Sequence, residues 1–498
     1  MNWYGLFDET GFTELLPKEY AHFSKPICDG LAVFLQGLPA SQQTAIIAKQ
    51  ATLAPSASLS ERLGLLARSC PVLQKIGQVL ARDQRLSPEL RQHLQQLESL
   101  PPIVPLEAIK EILDQELGPL DRLGISLTPP ALAEASVAVV IPFRKADRGE
   151  EQDGVFKILK PDIKDRLDEE LALLECVGSH LDERCDELRI PHLDYQESFQ
   201  QVRDKIWEEV QLDHEQVKLT AARKFYADEH RVQIPKLFDC CTSHVTAMQR
   251  IWGGKVTDHQ FTQTSDRQRL SELIVEAMIA QPIFAKQNWA LFHCDPHAGN
   301  LFLTSEGRLA ILDWSLVGSL DKQERIAIVQ IMLGAVAHDQ QRIVAVLAEM
   351  GNGGYLDLSK LSPIVDSWLR KLRQGQFPGL VWLVSMLDKA VQDAGLRLKP
   401  NMMMFRKSLY TLEGVVAEVG AKADTFDKVL VEGFLRHLAM EWPLRWFTSP
   451  NSREFATRLS NFDLTQAIIR YPSSVARFWM GQSLDWLDTS QANENVAV

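Results

Sequence analysis

Three oxygen-bearing side chains in the second half of the sequence are spaced for phosphate chemistry. In His293-Cys294-Asp295-Pro296-His297-Ala298-Gly299-Asn300 a carboxylate and an amide lie five residues apart, and Asp313 follows Asn300 by thirteen, closing the apolar run Leu309-Ala310-Ile311-Leu312. Phosphoryl transfer asks for such a trio: one carboxylate orients the attacking hydroxyl or water, while an amide oxygen and a second carboxylate hold Mg²⁺ against the phosphates. Asp295 is the candidate catalytic residue, and Asn300 and Asp313 are the candidate metal ligands. Two plainer readings compete. Asp295 and Asn300 are also turn formers, and His293, Cys294 and His297 could ligate zinc. Structural zinc sites draw on two separated ligand pairs, however, and the adjacent Cys240-Cys241 do not supply one.

The order D-x-x-x-x-N, short hairpin, Asp is that of kinase catalytic and metal-binding loops, which also need a lysine from an upstream sheet. Gly154-Val155-Phe156-Lys157 supplies one, with Lys157 pointing to the side opposite Phe156. Lys157 would grip the α and β phosphates and needs a carboxylate partner from a helix; Lys160 is its competitor, and an exposed strand lysine is the bland alternative.

The elements that must position these groups change in character along the chain. From Leu59 the text is helical: Ser87 caps and Pro88 opens a helix running to Leu100, stopped by Pro101-Pro102, and a second follows Pro105 with Gly118 as its stop. After Pro129-Pro130 the period shortens. Ser136–Arg144 and Gly154–Leu159 are predicted to form a hairpin around the charged loop 145–153, followed by a helical insertion over Ile163–Tyr226. Strands are then expected at Val232–Phe238 and His244–Ile251, ended by Gly253-Gly254, with two β runs flanking the turn Ser305-Glu306-Gly307 and helices elsewhere.

At 498 residues, with 45% apolar and 24% charged side chains, the chain has material for several packed units and is not disordered, collagen-like or one coiled coil. A net charge of −12, from 53 basic and 65 acidic residues, argues against a nucleic-acid binder. Seven cysteines, odd and sparse, point to a reducing compartment. No run of about 18 uninterrupted apolar residues marks a transmembrane helix, and Met1–Tyr20, with Asp8, Glu9, Glu14 and Glu19 against Lys18, is unlike a secretory or transit peptide. The expectation is a cytoplasmic protein.

Two further segments carry a resemblance. Leu73-Gln74-Lys75-Ile76-Gly77-Gln78 holds a K-x-G-Q motif, and Ala133-Glu134-Ala135-Ser136 is an alanine-rich loop. With D-P-H-x-G-N and the downstream Asp in this order, the chain resembles the UbiB/AarF family of atypical kinase-like proteins, from about Leu59 to the middle 300s. On the residues alone, Lys75 and Gln78 share a helix face, Gly77 permits close approach of another backbone, and an exposed polar pair is the alternative.

The resemblance implies an α+β, protein-kinase-like two-lobe fold, with a small β-rich N-lobe, a helical C-lobe and an N-terminal helical K-x-G-Q extension across the active site, which disfavours a large protein substrate. The expected division is 1–58, 59–130, 131–255, 256–440 and 441–498. By the same resemblance Glu215 pairs with Lys157 and Glu209 with Lys75, although a solvated acidic face would look alike. Candidate nucleotide-binding residues are Ala133, Glu134, Ala135, Ser136, Lys157, Glu215, Gln249 and Ile251. ATP (or ADP) and Mg²⁺ are the implied cofactors.

Three departures from the family pattern stand out. Asp313-Trp314-Ser315 replaces Asp-Phe-Gly, losing a glycine that allows unusual backbone angles; Glu134 brings a carboxylate toward the expected phosphates; and His297-Ala298-Gly299 replaces His-Pro-Gly. The transmembrane C-terminus of some bacterial members is not expected here. The implied function is an ATPase or a small-molecule or lipid phosphotransferase supporting isoprenoid quinone (ubiquinone-type) metabolism. The alternatives are a catalytically weak pseudokinase scaffold that binds nucleotide and partner proteins or lipid, and a choline- or aminoglycoside-type phosphotransferase, against which the K-x-G-Q segment argues. A homodimer or partner-protein complex, and peripheral contact with the inner face of a membrane, complete the expectations. For the membrane, Trp442, Arg445, Trp446, Phe447, Arg453, Phe455 and Arg458, then Arg470, Tyr471, Arg477, Phe478 and Trp479, interleave aromatic and basic residues as an interfacial helix does; packing of a terminal helix is the other reading.

Overall fold

The structure is a computed structural model that describes Trp3 and residues 14–81, 86–98, 104–147, 150–191, 194–261, 263–351, 356–422 and 424–469. The turn expected at Pro101-Pro102, and the tail residues Arg470, Tyr471, Arg477, Phe478 and Trp479, lie outside the described residues. The chain forms two compact units, residues 1–220 with 235–251, and residues 221–234 with 252–498.

The first unit opens with the helices Ser24–Gly37, Ala40–Gln50, Leu59–Ala67, Pro71–Leu80 and Pro88–Gln95. Their starts are chemically marked: Ser58 accepts from the Glu61 N–H, and Ser87 accepts from the Leu90 N–H with Pro88 at the first helical position. The Pro88 helix gives way at Gln96–Glu98 to a tighter 3₁₀ turn, and the expected end at Leu100 lies outside the described residues. Phe34, Leu35, Leu66, Leu167 and Leu171, all buried, knit these helices to the Ile163–Glu183 helix.

Next comes a sheet of β1 (Ile125–Leu127), β2 (Ala133–Glu134), β3 (Ala138–Asp147) and β4 (Glu150–Leu159); β5 (Val232–Gln233) leaves for the second unit, and β6 (Val245–Gln249) completes the order β1-β3-β4-β6 with β2 on β3. Ile141, Phe143, Phe156, Ile158 and Ala247 bury one face, with the Phe143 and Phe156 rings stacked at 4.1 Å. Of the charged segment 145–153, expected as a loop, residues 145–147 and 150–153 are strand: Lys145 pairs with Gln152, Ala146 with Glu151 and Asp147 with Glu150. Polarity there marks a ribbon solvated on both sides, steadied across the strands by Arg144 near Glu151 (3.7 Å) and Asp153 (3.6 Å). The insertion is helical, as Ile163–Glu183, Cys185–Leu188, Tyr195–Glu208 and Leu212–Phe225.

In the second unit β7 (Gly253–Lys255), β9 (Leu301–Thr304) and β10 (Leu309–Ile311) form a sheet with β5, ordered β5-β10-β9-β7, while β8 (Trp289–His293) pairs with β11 (Val317–Asp321). The strand expected over Val232–Phe238 is thus only two residues long, and its partner is β10, with Leu309 opposite Val232. Gly253-Gly254 begin a strand instead of ending one. A Cβ on Gly253 would lie 2.1 Å from the Leu303 carbonyl oxygen, so glycine is what lets β7 approach β9.

The helices Lys322–Val336, Gln340–Met350, Leu358–Arg373, Leu380–Ala394, Pro400–Val419 and Thr425–Arg445 follow. The tail expected to be helical is irregular from Trp446 to Ser460 and helical again over residues 461–469. Its interleaved residues separate by burial: Arg445, Phe455 and Arg458 are inside, whereas Trp442, Trp446 and Phe447 are exposed. The Arg458 guanidinium donates to the carbonyls of Ala285 (2.6 Å), Lys286 (3.0 Å) and Gln287 (2.9 Å), and Arg325 donates to the first and last of these, so the tail folds back on the approach to β8. Among the described residues no helix is long and apolar enough to cross a membrane.

Candidate functional site

In the first unit Lys157 projects from β4 and its ammonium lies 2.7 Å from Oε2 of Glu215, the side chains 14% and 3% exposed. Glu215 sits in the first turn of the Leu212–Phe225 helix, where the positive end of the helix favours a carboxylate. The next residue fastens that helix to the sheet: the Gln216 side-chain amide donates to the Thr242 carbonyl (2.8 Å) and to Thr246 Oγ1 (2.9 Å), and Thr246 is the β6 partner of Lys157. The sequence reading overlooked Gln216 and Thr246. Gln216 beside Glu215 was the only local hint, since its partners lie 26 and 30 residues on.

Lys160 has its own carboxylate, Glu134 Oε1 at 2.7 Å, and the other Glu134 oxygen accepts from the Val104 N–H at 3.1 Å. Glu134 is therefore a buried anchor whose charge a lysine offsets, the condition under which its carboxylate need not repel phosphates. Ala133 and Glu134 form β2, laid against Val140 and Val139 of β3; Ala135 is exposed and Ser136 buried beyond them. Gln249 ends β6, its N–H donating to the Lys236 carbonyl at 2.7 Å, and Ile251 follows outside the strand, half-buried.

The K-x-G-Q helix, Pro71–Leu80, spreads its motif over several contacts. Lys75 is ion-paired with Glu209. The Gln78 side chain donates to the Leu97 carbonyl at 2.8 Å, joined there by Gln74 at 3.2 Å. A Cβ on Gly77 would meet Leu97 Cδ1 at 2.7 Å and Leu94 Cδ2 at 3.2 Å, so the close neighbours are leucine side chains rather than the backbone expected. At the start of this helix the Val72 N–H donates 3.0 Å to Glu170, a fully buried carboxyl that burial pushes up to about 7, against the opposing pull of that bond and of Arg166.

In the second unit one imidazole ties two loops together. His293 Nδ1 accepts the Asp295 N–H (3.1 Å), which assigns the ring proton to Nε2, and Nε2 donates to the carbonyls of Leu312 (3.1 Å) and Asp313 (2.9 Å). The Leu312 N–H returns to the Asn300 carbonyl at 2.8 Å. With both nitrogens engaged by backbone, His293 is a strut and not a zinc ligand, a role the sequence did not signal. Ser408 adds a bond to its carbonyl at 2.8 Å. The Asn300 side-chain NH₂ donates to the Asp295 carbonyl (3.1 Å), which turns its amide oxygen the other way. His297 Nε2 stands 3.9 Å from Asp295 Oδ2.

Trp314 is fully buried, its indole N–H on the Ile311 carbonyl at 3.1 Å and its ring 5.1 Å from that of His293. The positive φ of this loop, 48°, falls on Asp313, and Ser315 is not among the positive-φ residues; the Ser315 N–H donates to Asp313 Oδ1 at 3.2 Å. Residue 315 thus stays out of the left-handed region that favours glycine, and the loop with serine there takes a conformation open to any residue. The hard oxygens of Asn300 and Asp313 suit a cation such as Mg²⁺.

Residues 96–347 match the family model described as the ABC1 atypical kinase-like domain. An uncharacterized chloroplastic aarF domain-containing protein kinase of Arabidopsis thaliana is 27% identical over 287 residues, 56% of this chain and 51% of that protein. A probable protein kinase UbiB of Tolumonas auensis is 24% identical over 385 residues, 74% of this chain and 68% of that one. The chain therefore spans about half the length of the first relative and about two thirds of the second. Among solved structures, the complex structure of Rv3197-erythromycin from Mycobacterium tuberculosis is similar with a TM-score of 0.47 and 18% identity, covering 64% of this chain and 81% of that one.

Proposed function

From the premise that this chain belongs to the ABC1 (UbiB/AarF) family of atypical kinase-like proteins, with an α+β kinase-like fold, we propose that it binds a magnesium nucleotide and works as an ATPase or as a small-molecule or lipid phosphotransferase in isoprenoid quinone metabolism. The observation that carries this reading is the His293 strut, which locks the segment bearing Asp295 and Asn300 to the segment bearing Asp313. In this reading Asn300 and Asp313 hold the cation through hard oxygens, and the cation when bound neutralises charge on the phosphates. Asp295 orients the attacking hydroxyl or water and takes its proton. Lys157, directed by Glu215, supplies the ammonium for the α and β phosphates.

The scaffold alternative rests on the Asp313-Trp314-Ser315 loop and on Glu134. The second ground weakens, because Glu134 is paired with Lys160. Trp442, Trp446 and Phe447, at 53%, 77% and 90% exposure, support peripheral membrane contact as part of the same proposal.

Steady-state ATP hydrolysis with Mg²⁺, with and without anionic liposomes and a quinone-precursor analogue, tests the reading. Asp313→Asn should lower turnover at least about tenfold, which is about 1.4 kcal/mol of barrier. Lys157→Ala should weaken nucleotide affinity, with a thermal melt run alongside because Glu215 is left buried without its partner. An unchanged Kd means the wrong lysine was chosen; a nucleotide-dependent thermal shift without any turnover turns the reading to the scaffold.

A further inference from the structure

Two arginines from distant parts of the second unit converge on one turn. Arg325, from the Lys322–Val336 helix, and Arg458, from the C-terminal tail, are both fully buried, and both bind carbonyls rather than carboxylates. Arg458 Nη2 donates to Ala285, Lys286 and Gln287, and Arg325 donates to Ala285 and Gln287. Their countercharge is the end of a helix. The segments Thr264–Val275, Glu276–Ala280 and Gln281–Phe284 run on without a break, so these carbonyls stand at the negative end. Holding Arg458 there is costly. It takes a left-handed φ of 53°, and its Nε and Nη1 are buried without a partner among the described residues.

The gripped turn leads straight into β8, which runs from Trp289 to His293. Arg325 Nε also donates to the Asp321 carbonyl at 3.3 Å, and Asp321 is the β11 partner of Trp289. The strand pair is thus pinned at one end by the two arginines. At its other end stands His293, the imidazole that ties the Asp295 segment to the Asp313 segment. Four strand steps, about 13 Å, separate the two ends, and a paired strand carries a shift along its length. Arg458 lies beyond residue 347, where the family match ends, yet it reaches the strand that serves the site.

We infer that Arg458 is a positioning residue: through the turn and β8 it sets the place of His293, so that the C-terminal tail governs cation binding at Asn300 and Asp313. The inference rests on the reading of those two residues as cation ligands. Arg325 belongs to a helix beside the strand pair, whereas Arg458 is delivered by the irregular segment from Trp446 to Ser460. Side-chain bonds hold that segment down, Arg445 to Thr457 Oγ1 at 2.6 Å and the Thr457 N–H to Glu441 at 3.1 Å. Withdrawal of the tail leaves the carbonyls to Arg325 and loosens β8.

ADP binding to the full chain is measured by calorimetry with Mn²⁺ and again with the metal chelated; the ratio of the two affinities is the cation's contribution. Arg458→Met should lower that ratio at least tenfold and leave the metal-free affinity within twofold, a split that general loosening of the fold does not give. Arg458→Lys, which returns an ammonium to the carbonyls, should keep the ratio within threefold of wild type. Lys322→Met removes a different contact of the tail, with Glu454, and should change nothing. Hydrogen exchange of peptides covering Trp289–His293 should quicken at least tenfold in Arg458→Met alone. An unchanged ratio, an equal fall of both affinities, unchanged exchange of β8, or the same effect from Lys322→Met overturns the inference. If Arg458→Met does not fold, Arg458→Gln takes its place, with a threefold lower ratio expected and an unchanged one overturning the inference. A wild-type chain that binds ADP no better with Mn²⁺ than without it refutes the cation-ligand reading itself, and this inference with it, before any variant is made.

Discussion

Glu170 should make the K-x-G-Q helix pH-sensitive. Its carboxyl is fully buried, burial holds it at about 7 instead of the ordinary 4.5, and it accepts the Val72 N–H at the start of that helix. When the helix opens, the carboxyl meets water and returns to its ordinary value. Below 4.5 both states keep the proton and the group has no effect on stability. Between 4.5 and about 7 the closed state keeps a proton the open state has released, so stability falls as pH rises, and above 7 the loss is complete. The gap of about 2.5 pH units, at 1.36 kcal/mol each, gives about 3 kcal/mol, or a few hundredfold in the opening equilibrium. The assay is hydrogen exchange of peptides covering Pro71–Leu80, corrected for intrinsic exchange, from pH 5 to pH 8. Wild-type protection should fall at least tenfold across that range. Glu170→Gln keeps an oxygen for Val72 and has no proton to lose, so its profile should be flat and its protection at pH 8 higher than wild type. Parallel profiles for the two proteins, or wild-type protection constant within about threefold, would refute the reasoning.

Glu134→Ala strips Lys160 and the Val104 N–H of their partner and should destabilise the first unit by about 1–3 kcal/mol in urea unfolding. Nucleotide affinity should stay within about twofold of wild type, whereas a tenfold rise would restore the idea that Glu134 repels phosphate. Trp446→Ser with Phe447→Ser, both strongly exposed, should cut co-sedimentation with phosphatidylcholine–phosphatidylglycerol vesicles at least threefold without changing the melting temperature; equal pelleting removes the membrane contact from the proposal.

What could be read in advance was local. The cap at Ser87 acts within three residues, and the β9–β10 hairpin closes over Ser305-Glu306-Gly307, so composition over a short window was enough. The charged stretch 145–153 misled because strand edges solvated on both faces carry the same residues as loops. Gly253-Gly254 misled because glycine marks close strand approach as readily as a turn.

Residue types and spacing determined which chemistry was available: two carboxylates and an amide in order, a strand lysine, and a K-x-G-Q helix. Folding alone decided who meets whom. Lys157 found Glu215 across 58 residues, Glu134 was claimed by Lys160 and Val104, and His293 joined loops 20 residues apart. An ammonium three residues further on, or a carboxylate six residues earlier, reads the same in one dimension. Electrostatic and hydrogen-bond partners are set by distances of about 3 Å, and those distances exist only once the apolar faces have closed and brought remote segments into register.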